Sequence, residues 1–291
     1  MPTPRTAILF GRSLGQRDDF ALEAEAAEAC DVESHQVDLQ QLLSGDEGVA
    51  LGSLPEKPHH FLYRGWMLKA DEQQQLEDAL EERGHTLVVS NGQYRAAHLL
   101  PEWYGELRGA TADSVWTDEP DVEWAWSLRT QLGGGAAILK DHVKSAKEAW
   151  FSACFVPADC TRARFGEMCE RLVEARGDRF EGGFVLRKFL PFRTWGQTPS
   201  GPAFLEFRLF FARGVLIAAA PYFDADEETP DFRVYEKLAR RIDSPFFVMD
   251  VAQLEDGRFV IVELNDGGVS MLPASLDPRE LINGLREQRL V

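Results

Sequence analysis

Ser244-Pro-Phe-Phe-Val-Met-Asp-Val-Ala-Gln-Leu254 and Arg258-Phe-Val-Ile-Val-Glu-Leu-Asn265 are rich in β-branched and aromatic residues, the composition of strands. Glu255-Asp256-Gly257 separates them, and Asp-Gly is a strong hairpin signal. With Asp256 and Gly257 as a two-residue turn, facing residues have numbers that sum to 513 (256 + 257), so Asp250 lies opposite Glu263. Asn265, two positions on, shares that face. Two carboxylates opposite each other repel. A solvated sheet face could tolerate them with splayed side chains, but Phe246, Phe247, Val248 and Met249 on one strand and Val260, Ile261, Val262 and Leu264 on the other read as central strands covered on both faces. Charges there require a partner. Carboxylate and amide oxygens are hard donors, so Asp250, Glu263 and Asn265 are candidate ligands for Mg²⁺ or Mn²⁺.

Working outward, residues 1 to 110 alternate strand and helix. Thr6–Phe10, His35–Leu39, His60–Tyr63 and Thr86–Ser90 read as strands; Phe20–Cys30, Asp71–Arg83 (capped by Asp71) and Gln93–Leu107 read as helices. That alternation predicts a small, doubly wound parallel sheet, with functional residues at the strand ends. Arg64 and the Tyr94–His98 segment fall there, although Tyr94 and His98 are equally placed to pack their helix. The loop Gly11–Gly15 is an incomplete dinucleotide fingerprint and carries little weight. Thr111–Glu123 is acidic and aperiodic and reads as a linker, with Trp116, Trp124 and Trp126 as packing residues around it. Residues 111–195 form a predicted α+β lobe, with Ala153–Val156 a strand and Arg162–Arg176 a helix. Residues 196–291 form a second lobe ending in the hairpin and a final helix.

The chain has 291 residues and a formal net charge of −17. So acidic a surface repels nucleic-acid backbones, so no nucleic-acid partner is expected. No stretch reaches the ~20 apolar residues of a membrane helix. Cys30, Cys154, Cys160 and Cys169 show no close-paired spacing and read as reduced thiols of a cytoplasmic protein. In such a chain, basic residues on apolar strands stand out. Lys140 ends the run Ala136-Ala-Ile-Leu after Gly133–Gly135. Lys144, one helical turn on, can share its face; solvated surface lysines are the plainer reading of the pair. Arg187 alternates with Lys188 in Phe184-Val-Leu-Arg-Lys-Phe-Leu190, and a salt bridge to Glu206 is one use for it. Glu206 and Arg208 share a face of the next strand.

Asp250 followed by Glu263-Leu-Asn265 and Asp266-Gly-Gly268 resembles the metal-binding hairpin of the ATP-grasp superfamily. Ile138–Ser145, with its Lys-Asp-x-x-Lys-Ser segment, Gly183–Leu190 and Glu206–Phe211 occur in the order that superfamily uses. The likeness is strongest from Lys140 to Pro273, and is nearest to small bacterial and phage members. It implies an ATP-grasp fold behind a pre-ATP-grasp domain that helps form the acceptor site. It also implies Mg²⁺ or Mn²⁺ on Asp250, Glu263 and Asn265, and ATP bound by Lys140, Arg187, Lys188, Glu206 and the backbone of Phe189 and Leu190. Where many relatives carry an acid, this chain has Lys188. Arg208, Lys144 and Arg187 are the implied catalytic cations, with Glu206 orienting Arg208. The implied activity is ligation of a small-molecule or peptide carboxylate to an amine or thiol through an acyl phosphate. Two alternatives remain open: a phosphotransferase of the same fold, and a nucleotide-binding scaffold whose chemistry has lapsed. The oligomeric state is not legible.

Overall fold

The computed structural model describes residues 5–12, 20–198, 201–222 and 229–291; residues 13–15 of the Gly11–Gly15 loop lie outside these. By internal contacts the chain forms two compact units, neither continuous in sequence. The first comprises residues 1–98, 207–249 and 265–291, the second residues 99–206 and 250–264.

The first unit contains the predicted parallel sheet, in the order Ser34–Asp38, Arg5–Arg12, His59–Arg64, Thr86–Leu87. Its central strand is apolar and wholly buried from Ala7 to Phe10, as a strand covered on both faces must be. Ala7, Leu9, Phe61, Leu76 and Leu80 join Phe210, Phe246 and Leu281 in one core. Two helix expectations need correction. The helix placed at Asp71–Arg83 spans Ala70–Glu81, and Lys69 occupies the cap position because its amide donates to the Glu72 carboxylate at 2.7 Å. The single helix placed at Gln93–Leu107 is two, Asn91–His98 and Leu100–Leu107. Pro101 explains the break: it has no N–H to continue the first helix but suits the first turn of the second.

The second unit is built on an antiparallel sheet in the order Ser114–Trp116, Val185–Lys188, Ala137–Lys140, Phe155–Val156. The stretch expected to be a linker therefore contributes a strand, pairing Ser114 with Arg187 and Trp116 with Val185. The strand expected at Ala153–Val156 begins two residues later, because Trp150–Cys154 forms one π turn. Helix Arg162–Arg176 falls where its pattern put it, capped by the Thr161 hydroxyl. Phe165, Met168, Cys169 and Leu172 from this helix pack with Leu139 and Leu186, and Trp126 meets Phe165 at 5.4 Å between ring centres.

A further sheet orders Val215–Pro221, Glu206–Ala212, Phe246–Gln253 and Phe259–Asp266. The hairpin is real, but its turn is one residue longer than expected. Gly257 N–H donates to Leu254 O at 2.9 Å, Leu254 N–H donates to Arg258 O at 2.7 Å, and Gly257 sits at φ +89°. This is the three-residue loop whose last residue needs the left-handed region, which glycine supplies. Pairing at the turn thus starts from Leu254 and Arg258, not from the symmetrical register about Asp256 and Gly257. The final strand is outermost in this sheet rather than central. Its edge is covered in part by Ala110 and Thr111: Ile261 N–H donates to Ala110 O at 3.0 Å, and the Thr111 hydroxyl to Ile261 O at 2.8 Å.

Candidate functional site

The second unit holds an open cleft. Its lining includes an aromatic set, Trp150, Phe189, Phe192 and Phe204, and a charged set, Lys140, Arg187, Glu206 and Glu263. The aromatic set is joined by continuous ring contacts. Trp150 lies 6.4 Å from Phe189 and 6.3 Å from Phe204, and Phe192 lies 5.4 Å from Phe204. The π turn at Trp150–Cys154 gives this wall its indole.

The charged set centres on Glu263. Its two oxygens accept from Lys140 Nζ at 2.7 Å and Lys144 Nζ at 2.8 Å. The two lysines converge as expected, but not through a helical turn. Asp141 folds the segment: its carboxylate takes the amides of Val143 (2.7 Å) and Lys144 (2.5 Å), and its own amide returns to Lys144 O. Arg176 anchors that carboxylate from the other oxygen at 2.8 Å. Lys140 also donates to Val143 O at 2.8 Å. Burial pushes the Glu263 carboxyl up, but Lys140 and Lys144 outweigh it and hold the group well below the usual carboxylate range. Burial lowers the Lys140 ammonium, with Glu263 opposing.

Arg187 is buried beside them, and each guanidinium nitrogen has a protein acceptor. Nε reaches Ser114 Oγ at 3.2 Å, Nη2 reaches Thr111 Oγ1 at 2.6 Å, and Nη1 bonds Val262 O; the group also lies 5.8 Å from the centre of the Trp103 ring. Burial pulls its pKa down to about 10, so it remains a cation at neutral pH. It thus fastens the backbone next to Glu263. Alternation places Lys188 outward and exposed. The Phe189 amide is used by Ala136 O at 3.0 Å, which removes one of the backbone donors expected to meet a purine.

Asp250 and Asn265 are buried, at 2% and 1% exposure. Glu263 lies on the last hairpin strand, and the two ammonium groups already on it mark that carboxylate as a receiver of cations. Such carboxylate and amide oxygens fit Mg²⁺. Glu206 lines the cleft. In the first unit, Arg208 donates to Met271 O at 2.9 Å, with its guanidinium 4.8 Å from the Tyr222 ring centre.

Arg64 departs from its strand-end expectation. It is fully buried, bound to Glu23 at 2.8 and 2.5 Å, and it also donates to Ser270 O at 3.0 Å and to Gly267 O. It clamps the loop after Asn265 rather than presenting a charge to a ligand. Tyr94 packs against His98 at 4.8 Å and donates to Leu68 O. Asp266, part of the recognised motif but given no role of its own there, is buried in the clamped loop; its Oδ1 accepts from Gly268 N–H at 2.7 Å.

Residues 131–285 match the family model described as ATP-grasp domain, R-2-K clade family 3, so the chain belongs to the ATP-grasp superfamily and, within it, to that family. Among curated proteins, no relative matches the chain. Solved structures share the fold at low identity. The RimK domain protein ATP-grasp from Sphaerobacter thermophilus is 17% identical with a TM-score of 0.59, covering 98% of this chain and 99% of that one. The ATP-grasp ligase PsnB, solved with minimal precursor, Mg and ADP, is 16% identical (TM-score 0.57; coverage 98% and 99%). D-cycloserine synthetase DcsG is 14% identical (TM-score 0.61; coverage 98% and 100%). No helix among the described residues is long and apolar enough to cross a membrane.

Proposed function

We propose that the protein is an ATP- and Mg²⁺-dependent ligase that joins a small-molecule or peptide carboxylate to an amine, with a thiol as the second acceptor class. The observation that carries this reading is the convergence of Lys140 and Lys144 on Glu263 in a cleft whose lining also includes an aromatic set. A nucleotide needs both: a stacking surface for its purine and fixed cations for its phosphates. PsnB, solved with Mg and ADP, supports the same occupants here.

In this reading Trp150, Phe189 and Phe204 receive the purine, and the Leu190 amide, rather than that of Phe189, meets its edge. Lys140 and Lys144 leave Glu263 and turn to the β- and γ-phosphates, so the site exchanges one ion pair for another. Asp250, Glu263 and Asn265 hold Mg²⁺, which when bound shares the phosphates' charge. Arg187 holds the Glu263 strand in place, and Glu206 and Arg208 serve the transferring phosphoryl group. A substrate carboxylate oxygen attacks the γ-phosphorus, ADP departs, and the amine displaces phosphate from the acyl phosphate. Both transition states are anionic, and these side chains supply preorganised charge rather than a nucleophile.

The test is ADP and phosphate release with pooled carboxylates and amines, followed by mass spectrometry of the product. A product heavier by the amine minus water supports ligation. ADP release that needs no amine, with a phosphorylated acceptor, supports phosphotransfer instead. Nucleotide binding without turnover on any acceptor points to a scaffold. In calorimetry with a nonhydrolysable ATP analogue, affinity must fall when EDTA is present; equal affinity sinks the metal assignment.

A further inference from the structure

Glu33, His35 and His59 converge at the N-terminal edge of the parallel sheet in the first unit. None of them lines the cleft, and nothing in the ligase chemistry uses them. Glu33 and His35 are two residues apart, so they lie on one side of their chain segment. His59 opens the strand on the other flank of the central strand. There His35 pairs with Leu9 and His59 with Arg5, which puts both imidazoles on the same face. Their Nε2 atoms lie 3.0 Å and 3.1 Å from a single oxygen, Glu33 Oε1, and the three donor atoms all fall within 4.8 Å of one another. Tetrahedral ligands at ~2.0–2.1 Å from zinc stand about 3.3 Å apart, so these spacings suit a shared ion.

The hydrogen bonds sharpen this. His59 Nδ1 lies 2.7 Å from Lys57 O, and a carbonyl can only accept, so Nδ1 carries the proton. In the neutral ring Nε2 is then a bare lone pair aimed at a carboxylate oxygen. Two acceptors that close require a cation between them, whether a proton or a metal ion. A ring whose Nδ1–H is fixed by a backbone carbonyl, leaving Nε2 to coordinate, is the arrangement metal-binding histidines adopt. His85 supports the ring's position from behind: its Nδ1 accepts the His59 backbone N–H at 3.2 Å, and its ring packs 5.1 Å from Phe61. Arg5 lies 3.8 Å from the second Glu33 oxygen and is largely exposed. His59 is buried, whereas Glu33 is exposed and His35 half-buried, so one side stays open to solvent and to a further ligand.

We infer that Glu33, His35 and His59 form a second metal site, selective for a divalent transition ion such as Zn²⁺ or Co²⁺ over Mg²⁺, which ties two strands of the parallel sheet together. Two imidazoles and one carboxylate favour such ions, whereas the all-oxygen set of the hairpin favours Mg²⁺.

The test uses full-length, tag-free protein stripped with EDTA and titrated with Co²⁺. A nitrogen-rich, four-coordinate site gives strong visible absorption, which an octahedral oxygen site does not. The wild type is expected to bind one Co²⁺ with that spectrum, and Zn²⁺ should displace it. Glu33→Gln and His35→Ala each change an accessible side chain, and each should weaken Co²⁺ binding at least ~100-fold, more than loss of a supporting partner costs. Glu263→Gln should leave the spectrum unchanged, which separates this site from the hairpin. The proposal is overturned if no Co²⁺ binds with that spectrum, or if Glu33→Gln and His35→Ala bind it as the wild type does. It is equally overturned if nitrogen-15 NMR of the metal-treated protein finds His59 doubly protonated, because the cluster is then an ion pair.

Discussion

Two buried ion pairs, one in each unit, do opposite things. Arg64 and Glu23 meet with both partners almost fully buried, and backbone carbonyls take the remaining guanidinium donors. Lys140 and Lys144 meet Glu263 at the wall of an open cleft. Desolvation penalises both, and pairing offsets it in each. The first pair is closed, with protein on every side, and its work is to hold the Gly267–Ser270 loop. The second faces space, so its charges can be handed to a ligand. A buried charge is therefore available to a ligand only when a cavity adjoins it.

The largest effect expected from this contrast is on stability. Glu23→Ala leaves the Arg64 guanidinium buried without its carboxylate and should cost about 3–5 kcal/mol, read from urea denaturation. Glu23→Leu combined with Arg64→Met should recover most of the loss, because an apolar pair of similar size avoids the desolvation. A small loss in Glu23→Ala would mean that Arg64 can reach water, and the closed description of the clamp would be wrong.

On the open side the effect moves from stability to turnover. Glu263→Gln keeps shape and removes charge. The folded fraction should hold while turnover falls roughly 100-fold or more, as when one preorganised electrostatic partner is lost. Circular dichroism and steady-state kinetics on the same sample decide between this and simple unfolding.

Lys140→Met is the next smaller perturbation. Lys144 remains on Glu263, so the melting temperature should not fall. ATP affinity should weaken by about one to two decades, the ~1.5–3 kcal/mol of a charged hydrogen bond. A stability loss with unchanged affinity would move Lys140 into the same class as Arg64.

The contrast also explains what the sequence could convey. The hairpin strands, the parallel sheet and helix Arg162–Arg176 are legible because period and composition are local. The break at Pro101 was open to reading, since proline cannot continue a helix, but the apolar spacing masked it. Strand Ser114–Trp116 lies in an acidic stretch with a proline at 120 and owes its existence to Val185–Arg187. Lys140 and Glu263 could each be singled out as charges on apolar strands, but their pairing spans 123 positions. Arg64 has the same signature as Lys140, and only the position of Glu23, 41 residues away, tells the two apart. The Glu33–His35 step is visible at a spacing of two, but His59 joins it only through the order of the parallel strands. The two units interleave along the chain for the same reason: grouping follows contacts, which a linear pass cannot see.

The smallest effect concerns a group on the cleft side whose burial its neighbours offset only in part. Cys154 lines the cleft yet is fully buried, and burial pushes its thiol up to about 11, with Ser145 opposing weakly. The folded state thus holds the proton more tightly than the unfolded chain, whose thiol titrates near the usual value. This contribution to stability is intact below that value and is lost as pH rises from there through the folded value. Between pH 8 and pH 9.5 it should remove about 0.8 kcal/mol of unfolding free energy. Cys169, pushed up to about 12 by burial, adds a loss of the same sign in wild type and variant alike. Cys154→Ala should therefore flatten the fall without abolishing it, in urea titrations at the two pH values. An identical slope in wild type and variant would show that water reaches the thiol. The aromatic side of the cleft would then be wet where the proposed purine would stack, and the division of the cleft into an apolar and a charged part would have to be redrawn.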